Sequence, residues 1–146
     1  MDSLWVDRLD DAFEAAQKAA RLDSNNKEVG IVVRRTRGVI SARAKGNDLF
    51  KASRFSEACI AYGEGLDHDP FNSVLLCNRA TCRSKLGQFE KAVEDCTAAL
   101  SVRPSYSKAR LRRADCNAKV KTLSNVTLMS EEINTIIMDG INFKLS

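Results

Sequence analysis

Phe55-Ser56-Glu57-Ala58-Cys59-Ile60-Ala61-Tyr62-Gly63-Glu64-Gly65-Leu66-Asp67-His68-Asp69-Pro70 has a second version of itself 34 residues on, Phe89-Glu90-Lys91-Ala92-Val93-Glu94-Asp95-Cys96-Thr97-Ala98-Ala99-Leu100-Ser101-Val102-Arg103-Pro104. Phe55 falls on Phe89, Ala58 on Ala92 and Pro70 on Pro104. The same shift carries Arg79 onto Arg113, and Gly46 onto Ala80 and then Ala114. A period of this length is made by one pair of helices per unit, each unit burying its apolar face against the next. The small residues stand where antiparallel helices approach closely: Gly46, Ala80 and Ala114 on the first helix of a unit, Ala58, Ala92 and Ala99 on the second. Pro70 and Pro104 end apolar helical runs and open a turn. The pattern predicts helices at about 29–52, 55–67, 72–86, 89–102 and 106–120, which is two full repeats and the first helix of a third.

Outward from this block the pattern fades in both directions. Leu9-Asp10-Asp11-Ala12-Phe13-Glu14-Ala15-Ala16, running on to Leu22-Asp23-Ser24-Asn25-Asn26, has the alanine spacing and Leu-Asp ending of a second helix without its first. Residues 1–28 therefore read as the end of an upstream half-repeat, 29–120 as the repeat domain and 121–146 as a divergent tail. The tail supports one short helix, with Ser130 as its cap, Glu131 and Glu132 at its positive end, and Ile133, Ile136 and Ile137 on one face before Gly140. Leu128 and these isoleucines are expected to fold back over Leu111 and Ala114. The fold class is all-α, helical hairpins stacked as a short right-handed superhelix.

Composition narrows the chemistry. With 146 residues the chain is sized for one helical domain, and its 23 basic residues are nearly balanced by 19 acidic ones, a mild bias towards acidic partners. No run approaches the length of apolar residues that crosses a bilayer, so no membrane insertion and a cytoplasmic location are expected. Cys59, Cys77, Cys82, Cys96 and Cys116 form no Cys-x-x-Cys pair, and they are read as reduced thiols packed as small apolar residues. The single histidine, His68, lies in a turn beside Asp67 and Asp69 with no nucleophile motif near it. No catalytic residue, metal ligand or cofactor is therefore expected, and the chain is read as no enzyme. Asn125-Val126-Thr127 fits a glycosylation tripeptide too common by chance to carry weight.

In stacked helix pairs the first helix of every unit lines the concave face. Arg43 and Asn47 lie four apart on one such helix, Asn78 lies on the next, and Lys108 and Arg112 lie four apart on the third. The 34-residue unit is that of the tetratricopeptide repeat. The five residues resemble the dicarboxylate clamp of co-chaperone tetratricopeptide domains, whose basic residue followed by an asparagine after glycine is similar to Arg43 and Lys45-Gly46-Asn47. The family's asparagine before arginine looks like Cys77-Asn78-Arg79, and its last basic pair like Lys108 and Arg112. The resemblance implies binding of the Glu-Glu-Val-Asp C-termini of Hsp90 and Hsp70, since cations on opposing helices with amide donors between them suit a terminal aspartate's two carboxylates.

Asp7-Arg8-Leu9-Asp10-Asp11-Ala12-Phe13, Tyr62-Gly63-Glu64-Gly65-Leu66-Asp67 and Lys108-Ala109-Arg110-Leu111-Arg112-Arg113-Ala114-Asp115-Cys116 also resemble the plant tetratricopeptide-repeat thioredoxin-like proteins, scaffolds implied in stress and hormone signalling. Their thioredoxin-like domain has no counterpart in these residues, so the chain reads as a truncated fragment of that type and no redox activity carries over. Two departures stand out. Arg83 occupies a position where the repeat favours a large apolar residue, and the third repeat lacks a recognisable second helix. Rival readings are a structural fragment without a competent groove and a nucleic-acid binder using Arg34, Arg35, Arg37, Arg43 and Lys45, though no nucleic acid is expected because no aromatic stacking platform accompanies them. Self-association through the open end is a further expectation.

Overall fold

The computed structural model describes residues 2–22 and 27–145, with the side chains of 2–7, 20 and 22 excepted. Six helices follow one another: α1 (Asp2–Leu22), α2 (Lys27–Lys51), α3 (Phe55–His68), α4 (Ser73–Lys85), α5 (Phe89–Val102) and α6 (Ser107–Leu145). Each packs on the next in sequence, and α4 also touches α6. The Leu-Asp ending expected at 22–26 lies outside the described residues from Asp23 on.

The turn chemistry repeats with the sequence. Gly87 sits at φ 76°, and Gln88 N–H donates to the Arg83 carbonyl at 2.8 Å, closing α4 with a left-handed residue. One repeat earlier Ser53 sits at φ 58° and Arg54 N–H donates to the Leu49 carbonyl at 2.9 Å, the same turn made with a residue that has a Cβ. Asn72 caps α4 through its side-chain oxygen, which accepts from Leu75 N–H at 3.0 Å.

Close approach explains the small residues. A Cβ on Gly46 would meet the Tyr62 ring at 2.4 Å, and one on Gly65 would meet Leu75 at 2.7 Å. Ala58, Ala80, Ala92 and Ala99 are fully buried between helices, around a core that includes Val39, Tyr62, Leu66, Leu75, Leu76 and Tyr106. Cys77, Cys82, Cys96 and Cys116 are buried and free, and Cys59 is half-buried and free. They pack as the small apolar residues the sequence suggested.

The tail departs from expectation. Helix α6 runs unbroken for 39 residues, with no separate short helix begun by Ser130. Nothing between Ser107 and Leu145 stops it: there is no proline, and Thr122, Thr127 and Thr135 each donate to the carbonyl four residues back, which satisfies their hydroxyls within the helix. A continuous helix cannot fold onto itself, since Leu111 and Leu128 are about 26 Å apart along its axis at 1.5 Å per residue. Leu128, Ile133, Ile136 and Ile137 accordingly stay exposed, as do Leu111 and Ala114.

Candidate functional site

Helices α2, α4 and the first half of α6 are the first helices of three successive units, and each of the five sequence-selected polar residues lies on one of them. Asn47 is half-buried, and its side-chain oxygen accepts from the Tyr62 hydroxyl of α3 at 2.6 Å. Burial pushes the Tyr62 hydroxyl well above its usual range, so it keeps its proton and donates. That bond fixes which way the Asn47 amide points: oxygen towards α3, with Nδ2 as its donor side.

Arg43, one turn before Asn47, has only 11% of its side chain exposed. It lines a cavity of about 180 Å³ together with Arg8, Leu9 and Ala12 of α1, Val39 of α2, Asp69 and Asn72 of the α3–α4 turn, and Val74 of α4. It is not bare: Asp10 of α1 stands 3.9 Å away.

Asn78 is half-buried on α4, and its neighbour Arg79 points elsewhere, since consecutive helical residues diverge by about 100°. Arg79 Nε and Nη2 donate to the two oxygens of Asp95 on α5 at 3.0 and 2.7 Å. Arg83, four residues on, donates to the same carboxylate at 2.8 Å. Asp95 is 4% exposed, and its side-chain hydrogen bonds, with desolvation opposing, hold the Arg79 guanidinium firmly protonated. Arg83, which stands where the repeat favours a large apolar residue, is thus held in a buried ion pair. Sequence inspection missed Asp95; the only signal was two arginines four apart facing one acid in the next helix.

On α6, Lys108 is exposed and Arg112 half-buried. Burial, chiefly, raises the Cys96 thiol of α5 to about 12, and the Arg112 charge partly opposes that shift. Burial likewise lifts Cys82 to about 12. Such thiols are protonated near neutrality and poor nucleophiles.

The basic stretch of α2 is largely engaged within the molecule. Arg35 donates to the His68 carbonyl at 2.6 Å and faces Asp69 at 3.8 Å, Arg37 stands over the Phe13 ring at 5.9 Å, and Lys45 meets Glu64 at 3.5 Å. Arg35 and Lys45 thus face α3 and the residue after it, and Arg37 faces α1. The His68 ring packs on Gly38, where an added Cβ would come within 2.5 Å of it, which gives His68 a packing role. Among the described residues, no cluster of His, Cys, Asp or Glu could hold a metal and no helix is long and apolar enough to cross a membrane.

Stacked helix hairpins with polar residues presented from the first helix of each unit define a helical-repeat domain. The tetratricopeptide repeat family pattern matches residues 73–106, which is α4, α5 and the turn that follows. Over 105 residues the chain is 54% identical to the inactive TPR repeat-containing thioredoxin TTL3 of Arabidopsis thaliana, a match that takes in 72% of this chain and 15% of the relative. The chain thus spans about a seventh of that relative's length. Among solved structures, the second TPR of Spaghetti (RPAP3) bound to the HSP90 peptide SRMEEVD is 33% identical, with TM-score 0.57 over 62% of this chain and 84% of that one. The second TPR domain of human RPAP3 in complex with the HSP70 peptide SGPTIEEVD is also 33% identical, with TM-score 0.59 over 62% and 76%. The chain belongs to the tetratricopeptide-repeat family, and its resemblance to the plant thioredoxin-like members is that of a close relative over the repeats.

Proposed function

We propose that this chain is a protein-interaction module, acting by binding and not by catalysis, which takes the acidic Glu-Glu-Val-Asp tail of Hsp90 or Hsp70 chaperones in the groove of α2, α4 and α6. Its setting would be a cytoplasmic co-chaperone or signalling scaffold. The observation that carries the reading is the arrangement of Arg43 and Asn47, Asn78, and Lys108 and Arg112 on the first helices of three successive units, with the Asn47 amide oriented by Tyr62. Support also comes from the likeness to domains whose solved complexes hold peptides with that ending. In this role the two basic pairs receive the terminal carboxylates, and Asn47 and Asn78 donate between them.

Each charge-assisted bond adds about 1.5–3 kcal/mol against an unpaired alternative, and ordering a flexible tail consumes much of the sum, so micromolar affinity is expected. Calorimetric titration with a free-acid Met-Glu-Glu-Val-Asp peptide and its C-terminal amide tests the reading. The free acid should bind, the amide should not, and Asn78→Ala, which leaves net charge unchanged, should weaken binding at least tenfold, about 1.4 kcal/mol. Undiminished binding by Asn78→Ala would sink the clamp assignment. One observation favours the rival of a fragment without an open groove: Arg43 is already covered.

A further inference from the structure

Arg43 is unlike the other cations of α2. Arg35 and Lys45 have 54% and 60% of their side chains exposed, whereas Arg43 has 11%. What covers it is α1. Leu9 of that helix packs against the core and lines both the cavity around Arg43 and a neighbouring one with Val32, Arg35, Thr36 and Val39. Arg8 and Ala12 close the first cavity against Asn72 and Val74 at the start of α4. Helix α1 therefore borders the space between Arg43 of α2 and the first residues of α4. It brings a carboxylate with it, Asp10, 3.9 Å from Nη2 of Arg43.

We infer that α1 is a built-in competitor for the peptide site, with Asp10 holding the place on Arg43 that a carboxylate of the incoming tail must take. The inference rests on the clamp reading of Arg43. The geometry suits exchange more than permanent closure. At 3.9 Å the pair is too long for a charge-assisted hydrogen bond, which needs about 2.7–2.9 Å, and Asp10 keeps 54% of its side chain exposed. A ligand carboxylate that docks directly on Nη2 therefore makes the better bond, at the cost of shifting α1. Binding is weakened by the competition but not abolished, and whatever draws α1 away raises the affinity of the groove.

The test uses the whole chain, with free-acid Met-Glu-Glu-Val-Asp titrated calorimetrically into the wild type, Asp10→Asn and Asp11→Asn. The two substitutions change net charge equally, and only Asp10 is paired with Arg43. Thermal melts confirm that all three are folded. Asp10→Asn should bind about three- to tenfold more tightly, while Asp11→Asn stays within about twofold of the wild type, as expected for a charge that merely screens. Peptide should also speed amide exchange in residues 8–16 of the wild type. Equal affinity of wild type and Asp10→Asn overturns the competitor while leaving the clamp intact, as does an equal gain in both variants. Weaker binding by Asp10→Asn also overturns it, because Asp10 would then be positioning Arg43 for the ligand. If none of the three proteins binds, the clamp reading itself falls and the competitor with it.

Discussion

Asp95 shows how a single buried carboxylate organises a repeat. It accepts three bonds from two arginines, each guanidinium less than a quarter exposed, across the seam between α4 and α5. Removing one partner of a buried pair leaves the other charges desolvated and uncompensated, which costs more than the pair itself contributes. Asp95→Asn should therefore lower stability by about 2–4 kcal/mol in urea unfolding, with Arg83→Ala costing less because Arg79 keeps its bidentate grip. Equal losses from the two substitutions would show that Arg83, not Arg79, anchors the acid. Residue identity alone marks Arg83 as a departure from the repeat, because an arginine at an apolar position signals lost packing until its partner is known. The partner is twelve residues away on another helix, which no local pattern reveals. The same holds for Asp10, whose relation to Arg43 depends on where α1 lies.

At the scale of elements, most of the architecture was legible. Helix–helix approach demands small residues at fixed places, and these recur with the period, so Gly46, Ala58, Ala80, Ala92 and Ala99 located α2 to α5 to within about two residues. The turns carry the same register, and one of them carries strain. Ser53 holds at φ 58° the place that Gly87 holds at 76° one repeat later. A Cβ in that region costs about 1 kcal/mol, part of which glycine gives back through the greater freedom of the unfolded chain. Ser53→Gly should raise stability by about 0.5 kcal/mol, while Gly87→Ser should lower it by at least as much. Chemical denaturation of the two variants checks both, and a destabilised Ser53→Gly would mean that the serine side chain contributes a contact outweighing its backbone cost. Helix α6 was the element misjudged, because its reading leaned on the repeat template where the template had already ended. Its own chemistry, helix-compatible residues and no proline over Ser107–Leu145, continues the helix.

For the molecule as a whole, α6 leaves an unusual balance of covered and uncovered surface. Every residue from 121 to 145 is exposed, including eleven large apolar ones from Leu123 to Leu145. At 100° per residue Val126, Ile133 and Ile137 form an apolar strip on one side of the helix, and Leu128 adds an apolar residue on the other, among Glu131, Thr135 and Asp139. Fully burying any one of these side chains would contribute about 1.5–3 kcal/mol, but here all of them remain exposed, with only Leu123 and Leu128 lining a groove against the start of α5. Removing residues 122–146 should therefore leave the melting temperature within about 2 °C and the peptide affinity within about twofold, because α4, α5 and α6 up to Cys116 already enclose the second core cluster. What the deletion should change is association: an exposed apolar strip of this extent drives contact between copies, so the full chain should sediment as larger species at concentrations where the shortened one is a monomer. A fall of more than about 5 °C, or a loss of binding through Lys108 and Arg112, would mean that the distal half of α6 stiffens the half that carries the clamp, making the strip a structural part of the domain and not a surplus surface.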